Sequence, residues 1–168
     1  MEIIQIVGFK NSGKTTLASE MIAMLSESGH TVASLKHHGH GGAPIGLENT
    51  DSEKHKQAGA LISGVEGGGI LQLSAASWDV EQLIAIYQLM GVEVLVIEGF
   101  KKEPFPKVVL INREEDFSLL EQVINIQAVI TSLPFDKPLM YPVFKTSKID
   151  EFYEWMKWDF KKRQDKDI

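Results

Sequence analysis

The 168-residue chain contains no cysteine. Disulfides, thiolate metal ligands and cysteine nucleophiles are thereby excluded, and the composition fits a reducing compartment. Arginine is nearly as scarce: only Arg113 and Arg163 occur. Fast phosphoryl-transfer enzymes commonly bring an arginine to the transferred group, so the shortage weighs against kinase-like turnover. Long apolar runs are missing too. None exceeds the five residues of Leu83 to Tyr87, whereas a membrane-spanning helix needs about 20. No basic start leads into an apolar stretch at the N-terminus, so no signal peptide and a cytoplasmic location are expected. Positive charge is in deficit: 17 Lys and Arg against 23 Asp and Glu give a net charge of −6. That argues against a chain-wide basic surface for duplex nucleic acid and leaves room only for a local cationic pocket.

What remains is an ordinary globular composition, 43% apolar and 24% charged. A chain of this size buries roughly 70% of its unfolded surface, and residues 1–168 are expected to form a single domain. Short β-runs alternate with helical stretches, the pattern of a mainly parallel sheet flanked by helices. Ile3–Val7 reads as a buried first strand. Lys14–Ser28 reads as a helix with Leu17, Met21, Met24 and Leu25 as its core stripe and Gly29 as its stop. A strand at Thr31–Leu35 precedes a long Gly-rich loop, 36–50, of a length that is uncommon without a function. A short helix is expected over 51–58. Leu61–Glu66 and Ile70–Ala75, around Gly67-Gly68-Gly69, predict a β-hairpin, an inserted arm at 60–76. Helix 79–90, with Asp79 and Gln82 close to a capping box, is followed by strands at Val92–Ile97, Lys107–Ile111, Ile126–Thr131 and Leu139–Phe144. A last helix spans Lys148–Lys161.

The decisive segment is Gly8-Phe9-Lys10-Asn11-Ser12-Gly13-Lys14-Thr15, which matches G-x-x-x-x-G-K-[ST] at every fixed position. Chance would produce the pattern in about one chain in a hundred of this length, and here it follows a strand and opens a helix. The glycines let consecutive N–H groups converge on an anion, and the helix N-terminus adds partial positive charge. Lys14 reaches the β/γ-phosphates and the Thr15 hydroxyl can ligate Mg²⁺. Gly8, Asn11, Ser12, Gly13, Lys14, Thr15 and Thr16 are therefore the candidate nucleotide contacts. Glu98, directly after the apolar run Val94–Ile97, is the candidate metal partner or the group that orients an attacking water, with a solvated strand-end carboxylate as the alternative. Asp51 is a second candidate metal ligand, or simply a helix cap. Lys14 and Glu98 are the candidate catalytic residues.

These segments, with Leu35-Lys36-His37-His38, His40, Asp51-Ser52, Ala58-Gly59-Ala60, Ile97-Glu98-Gly99-Phe100-Lys101 and Pro106-Lys107, resemble the family of molybdopterin-guanine dinucleotide biosynthesis protein B (MobB) over about residues 1–112. The resemblance implies a P-loop NTPase fold that binds GTP and Mg²⁺, with weak GTPase activity and a homodimeric state. It also implies a place beside the guanylyltransferase that joins GMP to molybdopterin. The chain departs from the family's pattern at Thr50, where lysine is common, and at Ile130-Thr131-Ser132, where an acidic residue often ends the segment.

Other constellations stay open. Lys36, His37, His38 and His40 could bind a second phosphate-bearing ligand, which the resemblance makes molybdopterin; a zinc site and an ordinary polar loop are the alternatives. Ser147-Lys148-Ile149-Asp150 resembles a guanine-reading motif in spacing, but a capping box explains it as well. The aromatic-rich last helix exceeds one core stripe and could leave a surface for a partner. A small-molecule or nucleoside kinase on the same phosphate loop is the competing function.

Overall fold

The computed structural model describes residues 1–37, 51–134 and 139–164. In chain order the elements are β1 (Glu2–Val7), α1 (Lys14–Glu27), β2 (Val32–Lys36), α2 (Asp51–Gln57), β3 (Ile62–Gly67), β4 (Ile70–Ala75) and α3 (Val80–Leu89). They continue with β5 (Val94–Glu98), β6 (Lys107–Ile111), α4 (Leu119–Gln122), β7 (Ile126–Thr131), β8 (Val143–Lys145) and α5 (Ile149–Gln164). The described residues form two compact units, 1–37 with 91–134 and 139–164, and 51–90.

The first unit is built on a six-stranded sheet in the order β2-β5-β1-β6-β7-β8, with every neighbouring pair parallel. Side chains alternate between its faces, as the period of two requires. Ile4 and Ile6 of β1, Val94 and Val96 of β5, and Val108 and Leu110 of β6 pack into one cluster with Leu17, Ala18, Met21 and Leu25 of α1 and Phe152, Met156 and Phe160 of α5. The opposite parity, Val7, Val109, Ile111 and Val129, packs with Leu119 and Val123. Strands buried on both faces read as unbroken apolar runs, which is why Val94–Ile97 and Val108–Ile111 occupy interior positions.

α1 ends at a Schellman turn: the Gly29 N–H donates to the Ser26 carbonyl and the His30 N–H to the Leu25 carbonyl, with Gly29 at φ 91°. Phe152, Met156 and Phe160, spaced by four, form the buried stripe of α5, while Trp155 is half-buried and Trp158 is 58% exposed. The Tyr153 hydroxyl donates to the Glu20 carboxylate, tying α5 to α1.

Two expectations change and one element is added. The last strand is shorter than Leu139–Phe144, because Pro142 has no N–H to enter a ladder; its carbonyl accepts the Val129 N–H at 3.0 Å and pairing starts at Val143. Ser147 lies inside a 3-10 turn, Thr146–Lys148, that runs straight into α5, so it is not the helix cap. A 3-10 turn at Glu114–Ser118 followed by α4 had no periodic signal; the Asp116 carboxylate organises it by accepting the Asn112 and Arg113 N–H groups, both at 3.0 Å.

In the second unit β3 and β4 form a two-stranded antiparallel sheet with Gly67 opposite Ile70. Gly68 and Gly69 at the turn have φ 60° and 80°. Positive φ at both central residues is what a tight hairpin turn demands. The Ser63 hydroxyl donates to the Ser52 carbonyl at 2.5 Å, fastening the hairpin to α2. At the start of α3 the Gln82 side chain accepts the Asp79 N–H at 3.0 Å. Within the expected α3 stripe, Val80 is buried and Leu83, Ile84 and Tyr87 are half-buried.

Candidate functional site

β1 lies between β5 and β6, and the chain leaves it through α1 toward β2 on one side while β6, β7 and β8 extend the other. The carboxyl end of β1 is thus a topological switch point, where open α/β sheets bind ligands. The Gly8–Thr15 loop occupies that end. A Cβ on Gly8 would stand 2.5 Å from the Ser12 Oγ and 3.1 Å from the Leu110 Cβ, so only glycine lets the loop turn this tightly. Asn11 and Gly13 adopt φ 62° and 92°, the left-handed positions that turn successive amides inward. α1 then begins, with the Leu17 N–H on the Gly13 carbonyl at 3.0 Å and no acidic residue in its first turn to cancel the helix's partial positive charge. The buried Ser12 Oγ has no hydrogen-bond partner among the described residues. A polar atom left open inside a cradle of amides fits a site made for an anionic ligand.

The charged groups gather around this cradle. The Lys14 ammonium donates to the Phe9 carbonyl at 2.7 Å, folded back over the loop. Burial lowers its pKa below the ordinary 10.5; Glu98 opposes that shift, while Lys101 and Lys36 add to it. The Thr15 hydroxyl donates to Glu98 at 2.9 Å. Lys36 reaches the same pair, with its Nζ 3.2 Å from Thr15 Oγ1 and 3.0 Å from Glu98 Oε1. The Glu98 side chain is only 12% exposed. Two adjoining hard oxygen donors, one charged, are of the kind that suits Mg²⁺.

His37 follows β2, with its N–H on the Glu98 carbonyl at 2.9 Å and its ring 4.4 Å from the Phe100 ring. Thr16 is exposed in the first turn of α1. Asp51 opens α2 in the second unit, exposed and paired with Lys54 at 2.8 Å. His38, His40 and Thr50 lie outside the described residues.

Two residues at this end were not singled out as contacts from sequence. The Lys101 ammonium sits 4.2 Å from the centroid of the Phe9 ring. The Asn112 amide donates to the Ser12 carbonyl at 3.3 Å. Asn112 directly follows β6, so its position at a strand end was visible; that β6 neighbours β1 was not. Both arginines are engaged elsewhere, Arg113 with Glu115 at 3.6 Å and Arg163 with Asp159 at 2.5 Å.

The chain has clear relatives. The family model described as molybdopterin guanine dinucleotide synthesis protein B, MobB, matches residues 3–132. A probable molybdopterin-guanine dinucleotide biosynthesis adapter protein of Bacillus subtilis (strain 168) is 49% identical over 130 residues, 76% of this chain and 75% of that protein. The corresponding adapter protein of Haemophilus influenzae is 28% identical over 160 residues, 92% and 89% of the two chains. The crystal structure of a MobB homolog from Bacillus stearothermophilus superposes with a TM-score of 0.75 at 34% identity, covering 96% of this chain and 99% of that one. The crystal structure of Bacillus subtilis MobB gives 0.74 at 39% identity, with 94% and 97% covered. A parallel sheet carrying a glycine-built phosphate loop at its switch point, with a family match over most of its length, makes this chain a member of the MobB family of P-loop nucleotide-binding proteins.

Proposed function

We propose that this protein is a GTP-binding adapter that assists the making of the molybdopterin guanine dinucleotide form of the molybdenum cofactor in the cytoplasm, beside the guanylyltransferase of that step. The single observation that carries the reading is the Gly8–Thr15 cradle, with Lys14 folded over it and Thr15 bonded to Glu98. The relatives' names supply the pathway; the cradle supplies the ligand class. Main-chain amides of residues 11–15 and the Lys14 ammonium bind the phosphates. Thr15 and Glu98 would hold Mg²⁺. When bound, the ion neutralises charge on the phosphate oxygens. Lys36 and His37 border the site and suit a second anionic group, which in this pathway is molybdopterin phosphate. The exposed apolar residues of the hairpin, Leu61, Val65, Ile70 and Leu71 among them, support a homodimer.

A binding titration of GTP, ATP and their diphosphates, with and without Mg²⁺ and then with molybdopterin, tests the assignment. GTP is expected to bind tightest, and absence of any triphosphate binding would defeat it. Glu98→Gln is expected to weaken Mg²⁺-GTP about tenfold or more while GTP in EDTA binds as before. Undiminished Mg²⁺ enhancement in the variant would remove Glu98 from the metal site. Hydrolysis is expected to be slow. Without an arginine on the transferred phosphoryl group, rates well below 1 s⁻¹ are the rule. Turnover of about 1–100 s⁻¹ with a defined acceptor would instead favour a kinase.

A further inference from the structure

Gln5 and Lys107 are polar residues in two apolar strands, and both are 0% exposed. They are register partners on β1 and β6, so they stand side by side on one face of the sheet. Both are spent on the same segment, the connection from β5 to β6. The Gln5 amide donates to the Gly99 and Phe100 carbonyls, each at 2.5 Å. The Lys107 ammonium donates to the Phe105 carbonyl at 2.9 Å and to that of Glu103. The Gln5 N–H adds a bond to the Pro106 carbonyl at 2.8 Å.

Burying an ammonium against carbonyls alone is costly, and nothing in the sheet's own pairing needs it. The backbone it secures is itself strained: Phe100 has φ 50°, a conformation that a bulky residue holds only when its surroundings enforce it. The Gln5 amide grips that residue's carbonyl. The side chain delivered by this fastened loop is Lys101, whose ammonium lies over the Phe9 ring. Phe9 also supplies the carbonyl that Lys14 holds. Both ammonium groups therefore meet Phe9, the second residue of the phosphate loop. Lys14 serves the β/γ-phosphates in such loops, so this part of the loop faces the terminal phosphate.

We propose that Lys101 is a further cation of the phosphate site that contacts the terminal phosphate of a bound nucleoside triphosphate, and that Gln5 and Lys107 are positioning residues that hold its loop in place before the nucleotide arrives. The proposal rests on the Gly8–Thr15 loop being the triphosphate site. It assigns to lysine the charge at the γ-phosphate that arginine supplies in faster enzymes.

The test is calorimetric binding of GDP and of a non-hydrolysable GTP analogue, with Mg²⁺, to four full-length variants. Lys101→Met is expected to weaken the triphosphate about tenfold and the diphosphate by less than about twofold. Lys107→Met should reproduce that selective loss, and the double variant should lose no more than either alone. An equal loss on both nucleotides, or none, overturns the assignment of Lys101. Additive losses, or a Lys107→Met protein that melts earlier but keeps the ratio, overturn the positioning role. Hydrogen exchange in the unmutated, nucleotide-free protein checks positioning without disturbing the core. The Gly99 and Glu103 amides, bonded to the Ile6 and Phe100 carbonyls, should be protected, and rapid exchange there refutes a preformed loop. Lys14→Ala separates the two levels: if it binds both nucleotides normally, the reading of the phosphate loop fails, whereas its loss of binding beside an unaffected Lys101→Met sinks only the present inference.

Discussion

Lys14→Ala is expected to raise the dissociation constant for Mg²⁺-GTP about a hundredfold or more, with the thermal transition unmoved. Removing one member of a desolvated charge pair costs about 2–5 kcal/mol, and each 1.4 kcal/mol is tenfold in affinity. In the free protein the Lys14 head group holds a carbonyl of its own loop and no core side chain, so folding should tolerate its loss. Calorimetric titration and a melting curve on the same sample decide the matter. An unchanged affinity would mean that the cradle does not bind phosphates. The pH dependence follows from the same group. Burial holds the Lys14 pKa below 10.5, and only the protonated form attracts an anion. Affinity is therefore expected to be full at neutral pH and to fall as pH rises through that lowered value, earlier than an ordinary lysine would allow. Lys14→Ala should abolish that fall.

Phe152→Ala should produce the largest stability loss, about 3–5 kcal/mol. Phe152 is fully buried where α5 meets the sheet, with its ring 5.5 Å from Phe144 and 6.0 Å from Trp155. Each kcal/mol lowers Tm by about 2–4 °C in a chain of this size, so scanning calorimetry should register a drop of about 10 °C. A drop of less than 2 °C would show that α5 does not close this face of the core. Affinity for nucleotide, measured well below the transition, should change far less, because the ring belongs to the packing and not to the cradle.

Much of this was legible from residues alone. The phosphate loop could be read because its conformation is local: Gly13 answers a left-handed φ within the loop, and Gly8 answers a close approach that includes its own neighbour Ser12. The hairpin could be read because Gly68-Gly69 is itself the turn signal. The stripe Leu17, Met21, Leu25 announced α1 because helical period is a short-range property. Apolar content alone extends the last strand across Pro142, whose missing N–H keeps it out of the ladder. The stretch 114–122 was missed because a 3-10 turn and a single helical turn carry too few residues to show a period.

The candidate site divides along the same line. Glu98 was legible as a strand-end carboxylate, but its bond to Thr15, 83 residues away in sequence, was not. Neither was Lys36 on that same pair, nor the use of Gln5 and Lys107, which look like interruptions in apolar strands.

Sequence alone thus determined the nucleotide cradle, the alternation of strands and helices, and the scarcity of arginine, since each is written in contiguous residues or in composition. Tertiary structure decided which cations and carboxylate share the cradle. Parallel strands meet only through long crossovers, and the order β2-β5-β1-β6 sets beside one another groups that no local pattern connects.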